Sequence, residues 1–310
     1  MNIIDKRFQE LVERIQRKTK EELYQEIKNN YANISPALKE SLENYFDKFP
    51  GYWGKLKAQE GEFEELYNRA ESLREHIEDY IWLYHKLEDY RSKKLLLAIL
   101  LNWYQFDITT TQTALEKNYD QYYDLDIIKV TEEEVFVDIG AYTGDSIISY
   151  INNYGINSYK KIYGYEMTKE SYRLLKNNTK YYPNIEVKNK AITNESKTLY
   201  LKEHEDASAN MIVEKSNCKI EAVSLDEDIK EPITMIKMDI EGAEEQALIG
   251  SKNHIQKEKP KLLISVYHNH EDLWKLPNLI HSYVNEYHFY LRCYGNHIFP
   301  TEIILFATID

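Results

Sequence analysis

The stretch EVFVDIGAYTGDSIISYINNYG, residues 134–155, decides the fold. An apolar run ends in Asp138, two glycines four residues apart break it, and an amphipathic pattern resumes from Asp145. Strand, glycine turn and helix in that order open a parallel sheet whose ligand sits beyond the carboxyl ends of the strands. Gly140 can adopt backbone angles closed to other residues. Gly144 would keep a side chain out of a ligand's path at the helix start. The turn from Asp138 through Ala141 and Tyr142 to Asp145 is therefore read as a cofactor cradle.

Downstream, strand-like runs at 135–138, 161–165, 185–191, 235–238, 262–267, 289–292 and 302–307 alternate with helical patterns at 145–153, 169–181, 241–255 and 270–286. This predicts an α/β, Rossmann-like sheet with helices on both faces and a hairpin of the last two strands at one edge. Upstream the pattern is helical. SPALKESLENYF has Ser35 as N-cap and Pro36 at the first helical position, and FEELYNRAESLREHIEDYIWLYHKL reads as one long helix striped by Leu66, Ala70, Leu73, Ile77, Ile81 and Leu87. FPGYWG at 49–54 reads as a loop between helices. The expected division is a helical domain over 1–116 and an α/β domain over 117–310.

The charge balance, 39 basic against 52 acidic residues, is −13, which repels a phosphate backbone and anionic lipid; neither nucleic acid nor membrane is an expected partner. LLLAILL at 95–101 is too short to span a bilayer. The two cysteines show no metal-like spacing, and the charged N-terminal stretch lacks a secretory signal's apolar core. Both point to the cytoplasm.

A dinucleotide fingerprint would need glycine at 140, 142 and 145, where the chain has Gly140, Tyr142 and Asp145. Tyr142 blocks a pyrophosphate's approach, and Asp145 places negative charge where phosphate would bind. A nicotinamide-dependent dehydrogenase is thus the weaker reading. A phosphate-free cofactor such as S-adenosylmethionine (SAM) fits better. Glu166, ending the run KKIYGYE, is placed to accept both ribose hydroxyls, or alternatively to cap the following helix.

Seven blocks, VFVDIGAYTGDS, IYGYE, NKAITNES, VSLDEDI, IKMDIEGAEEQALIG, PKLLISVYHNHEDLWKLP and TEIILFA, occur in an order that resembles the FkbM-type methyltransferases of the class I SAM-dependent fold, over residues 117–310. The resemblance implies O-methylation of a hydroxyl, commonly on a sugar of a glycan or natural product. It also implies SAM contacts at Asp138, Gly140, Tyr142, Gly144, Glu166 and around Ala191. Many relatives carry Asn where Tyr142 stands.

Methyl transfer needs alignment of sulfonium and acceptor and a group to take the acceptor's proton. His268, at the end of the fifth strand, is the expected base. Asp239 is read as an N-cap and as an orienter of the SAM tail or substrate, and Glu241 as a first-turn residue of the next helix. Lys237, inside an otherwise apolar strand, needs an acidic partner. Ser208 and Asn210 of EDASANMI, with Glu241, His270, Arg292 and Glu302, are candidates for acceptor hydrogen bonding. A divalent metal held by Asp239, Glu241 and His268 is an open alternative. The expected acceptor is a sugar, nucleotide sugar or glycan, and the helical region is read as a homo-oligomerisation or acceptor-positioning element. A non-catalytic SAM-binding module is the other alternative.

Overall fold

The computed structural model describes residues 2–48, 50–202, 211–213 and 218–309. The chain divides into two compact units. One comprises Met1–Asn118, Val266–Asn278 and His288–Leu305, the other Tyr119–Ser265, Leu279–Tyr287 and Phe306–Asp310.

The second unit is built on parallel strands that neighbour one another in the order Lys261–Ser265, Met235–Met238, Val135–Ile139, Lys161–Tyr165, Ile185–Lys188. The first of these in the chain, VFVDI, is buried at every position, as a strand covered on both faces must be. The register sets Lys237 opposite Asp138, and Asp138 opposite Gly164. Helices Asp145–Tyr154 and Lys169–Thr179 follow the first two strands. A small second sheet joins Ala191–Ile192 to Cys218–Val223, and that strand to Lys197–Lys202. The predicted strand 185–191 is therefore two strands that belong to different sheets. The predicted helix 241–255 is likewise two, Glu244–Ile249 and Lys252–Glu258. The break comes at Gly250, where a Cβ would lie 2.0 Å from the Thr193 carbonyl oxygen.

In the first unit, Pro36–Lys48 is a helix whose Leu38 amide donates to Ser35 Oγ at 3.3 Å, the expected cap. Within the expected 49–54 loop, Pro50–Trp53 forms one helical turn, and Leu56–Lys57 pairs with Glu62–Phe63 as a two-residue hairpin that the helical reading did not anticipate. The expected long helix is broken at His76 into Glu64–Glu75 and Ile77–Lys86. Its stripe of Leu66, Ala70, Leu73, Ile77 and Leu87 is buried by the chain itself. The LLLAILL run lies in helix Tyr90–Gln105, buried from Leu95 to Tyr104, which makes it the centre of the helical core. Strand His288–Cys293 packs on that helix: the Leu291 amide donates to Ser92 Oγ at 2.9 Å. Among the described residues, no helix is long and apolar enough to cross a membrane.

Candidate functional site

The glycine turn is fixed from three directions. The amides of Gly140 and Ala141 both donate to the Tyr165 carbonyl, at 3.0 and 2.9 Å, which laces the turn to the end of the second strand. Gly140 has φ +78, and a Cβ there would lie 2.0 Å from the Asp239 carbonyl oxygen, so the fourth strand's end leaves room for glycine alone. Tyr142 also adopts a left-handed φ, +45; its amide donates to Glu166 Oε2 at 3.1 Å and its ring is half exposed. Gly144 caps helix Asp145–Tyr154 at φ +89. Its hypothetical Cβ would meet Leu175 Cδ1 and Thr179 Cγ2 at 3.0 and 3.1 Å. In the protein itself Gly144 is thus constrained first by its left-handed φ and second by the side-chain ends of helix Lys169–Thr179. Asp145 sits in the first turn of its helix, where the helix dipole favours a carboxylate.

Beneath the turn lies a buried ion pair. Lys237 Nζ stands 3.0 Å from Asp138 Oδ1 and donates to the Gly140 carbonyl at 2.8 Å, while Ser146 Oγ donates to Asp138 Oδ2. Burial lifts the Asp138 carboxyl above its ordinary range, against the pull of Lys237 and Ser146. Burial works against the Lys237 charge, but Asp138 and Asp239 outweigh it and hold the ammonium protonated. The expected acidic partner of Lys237 is therefore Asp138, and Lys237 links it to the Gly140 carbonyl of the turn.

Asp239 follows the fourth strand and is half buried. Tyr122, a residue the sequence did not flag, donates its hydroxyl to Asp239 Oδ2 at 2.5 Å, and Lys237 Nζ lies 5.1 Å from the Tyr122 ring centre. Asp239 is not an N-cap. Residues 239–243 form a turn with left-handed Glu241 at φ +56 and Gly242 at +87, and the cap of helix Glu244–Ile249 is Ala243. Glu241 therefore precedes the helix instead of starting it. Glu244 is the carboxylate that folds back, accepting from the Ile240 amide at 2.8 Å.

Glu166 lies at the end of the second strand, buried to 8% exposure. Its Oε1 accepts from the Thr168 amide and hydroxyl at 2.7 and 2.8 Å. Glu166 thus orders the start of the following helix with one oxygen and the glycine turn with the other, and burial raises its pKa. Asn189 completes this edge, donating to the carbonyls of Glu166 and Met167 at 2.8 and 3.0 Å. Ala191 pairs with Ala222 in the small sheet. Ser208 and Asn210 lie outside the described residues.

His268, His270, Arg292 and Glu302 belong to the first unit. His268 is buried, its ring 4.3 Å from that of Tyr267 and 6.4 Å from that of Tyr52. His270 is buried against Trp53 and Trp103, and burial keeps its imidazole below the usual range. Arg292 was expected to hydrogen-bond an acceptor. Instead it donates to both oxygens of Asp89, at 3.3 and 2.6 Å, and to Ser92 Oγ at 3.0 Å; it braces strand to helix. Glu302 accepts from the Tyr267 hydroxyl at 3.1 Å.

Residues 138–295 match the methyltransferase FkbM domain family. A comparison with curated proteins finds no match. Among solved structures, the chain is similar to methyltransferase FkbM from Methylobacillus flagellatus KT, with a TM-score of 0.66 and 24% identity over 77% of this chain and 62% of that one. The chain thus spans less than two thirds of that protein. Looser similarities are to a rRNA methylase described as putative from Clostridium thermocellum, with a TM-score of 0.43 and 10% identity over 63% of this chain and 99% of that one. Another is to a protein of Streptococcus mutans described as a putative methyltransferase, in complex with SAH, with a TM-score of 0.36 and 10% identity over 59% of this chain and 92% of that one.

Proposed function

The chain belongs to the FkbM methyltransferase family, and from that premise we propose that it moves a methyl group from SAM to a hydroxyl of a sugar or glycan precursor in the cytoplasm. The observation that carries the cofactor reading is the joint between Glu166 and the glycine turn. One buried carboxylate at the second strand's end holds the Tyr142 amide, with a further lone pair on that oxygen to accept a ribose hydroxyl. The cradle has no pyrophosphate character, because Tyr142 stands where a dinucleotide turn needs glycine and Asp145 brings negative charge to the helix start. That favours a sulfonium cofactor over a nicotinamide.

In this reading Gly140, Ala141, Tyr142 and Glu166 hold SAM, and Asp138 keeps the turn in place through Lys237. Asp239, held by Tyr122, orients the SAM tail. SAM supplies an electrophilic methyl group. His268 takes the proton of the acceptor hydroxyl as the new O–C bond forms and the S–C bond breaks, leaving the demethylated thioether as product.

Calorimetry with SAM and NAD tests the cofactor: SAM should bind, NAD should not, and Glu166→Gln should weaken SAM about tenfold, the worth of one hydrogen bond to a charged group. Equal affinity for NAD would sink the assignment. Methyl-labelled SAM with a panel of nucleotide sugars tests the reaction. His268→Ala should lower kcat by about 10²–10⁴ with SAM affinity retained, and loss of turnover on adding a chelator would favour the metal-assisted alternative.

A further inference from the structure

Residues Val266–Asn278 fold among the N-terminal helices, within the first unit. His270 is engaged there at both its main chain and its ring. The Ser72 and Tyr80 hydroxyls share a hydrogen bond at 2.6 Å and lie 3.4 and 3.3 Å from its carbonyl, so one donates to the other and the second donates to the His270 carbonyl. Its ring Nε2 lies 3.5 Å from Glu65 Oε1, which accepts from Arg69 Nε at 2.5 Å. Glu65 and Arg69 are both 0% exposed, and Arg69 keeps Glu65 ionised against the cost of burial.

Bringing two charges out of water costs several kcal/mol per ion, and apolar side chains of the same volume usually serve stability as well or better. Here Arg69 also donates to the Asn102 and Trp103 carbonyls at 3.3 and 3.4 Å, while Glu65 and the two buried hydroxyls meet the ring and main chain of His270. The consequence passes along the chain. Asn269 caps helix Asp272–Tyr283 by accepting from the Glu271 and Asp272 amides at 2.8 and 3.1 Å, so the backbone on the far side of His268 is pinned at both Asn269 and His270.

We propose that Glu65, Arg69, Ser72 and Tyr80 form a positioning device that acts through His270 to set the orientation of the His268 imidazole. The N-terminal helices are thereby part of the methyl-transfer machinery. This rests on the reading of His268 as the base. It differs from an oligomerisation role for the helices in that the whole device lies within one chain.

The test uses the full-length protein, histidine-selective NMR and SAM calorimetry. Ser72→Ala/Tyr80→Phe removes the hydroxyl pair that donates to the His270 carbonyl with little change in volume. The expected result is a displaced or doubled His268 ring signal, SAM affinity within about twofold of the parent's, and kcat on the nucleotide-sugar panel lowered about 10- to 100-fold, as for a small misplacement of a reacting group. A role confined to packing would shift the melting temperature and leave the His268 signal where it was, which overturns the proposal. If the double variant does not fold, Tyr80→Phe alone gives the same readout. His268→Ala run in parallel separates the two readings. A parent-like kcat there overturns the base assignment and the positioning with it. A loss of kcat there, with an unmoved His268 signal in Ser72→Ala/Tyr80→Phe, overturns the positioning alone.

Discussion

Replacing Gly140 with alanine should damage the second unit out of proportion to one methyl group. Two costs add. At φ +78 an L-residue pays about 1–2 kcal/mol that glycine does not. The added Cβ would also stand 2.0 Å from the Asp239 carbonyl oxygen and 2.9 Å from Ile240 Cγ2. The first of these is backbone, so relief requires moving the fourth strand's end or the turn, and overpacking of that kind costs about 1–3 kcal/mol. Gly140→Ala should therefore lose about 2–5 kcal/mol, and the displaced turn should weaken SAM binding as well. Gly144→Ala is the internal control. Its φ is equally left-handed, but the Cβ's close contacts would be with the side-chain ends of Leu175 and Thr179, at 3.0 and 3.1 Å, with the backbone no nearer than 3.9 Å. Side-chain ends can give way, so its loss should stay near the backbone term of about 1–2 kcal/mol. Urea unfolding of the three proteins measures both differences. A Gly144→Ala loss equal to or larger than that of Gly140→Ala would refute the argument that the Asp239 carbonyl, rather than backbone angle alone, dictates glycine at 140.

Lys237→Met leaves the buried Asp138 carboxyl without its main partner, and should cost about 3–5 kcal/mol; adding Asp138→Asn should recover much of that in urea unfolding, and failure to recover would mean that Lys237 matters mainly through the Gly140 carbonyl. Asp228 accepts from Lys188 and Lys190 at 2.6 and 3.0 Å and from the Tyr165 hydroxyl at 2.6 Å. Burial opposes its charge, but these donors win and hold its carboxyl down at about 2. Because the folded value lies below the ordinary one of about 3.9, its contribution is present above pH ~4 and disappears as pH falls toward 2. Asp228→Asn should cost about 1 kcal/mol after solvent screening at pH 7, and the gap between variant and parent should close near pH 2 in acid-titrated unfolding; a gap that persists there would show that the loss is one of shape.

The parallel sheet was legible because its signals are local. An apolar run, a glycine and an amphipathic helix repeat along the chain, and the strands Lys161–Tyr165 and Met235–Met238 fall where periodicity places them. Lys237 was legible as an anomaly, since a charge in a buried strand demands a partner, but nothing local says that the partner is Asp138. That follows from the register of two strands a hundred residues apart. Tyr122 carried no signal at all, being one of 27 scattered tyrosines, and its contact with Asp239 exists only in three dimensions. Arg292 misled for the opposite reason: its place on a strand suggested a ligand, while Asp89 and Ser92 engage it from a helix two hundred residues upstream.

The run DIEGAE shows where local reading and folded structure part company. Read by propensity, Asp239 caps and Glu241 begins a helix. In the structure Glu241 and Gly242 both take left-handed angles, and the helix is delayed to Glu244. A non-glycine residue at positive φ has a cost, and surrounding structure must impose it. The imposition comes from both sides of the turn: the Asp239 carbonyl is set against Gly140, and the Ile240 amide is taken by Glu244. Glycine at 140 and the delayed helix after 239 are therefore one constraint seen from two strands. Each motif is intelligible only once the other is beside it, which is why the pair specifies this sheet more sharply than either stretch does alone.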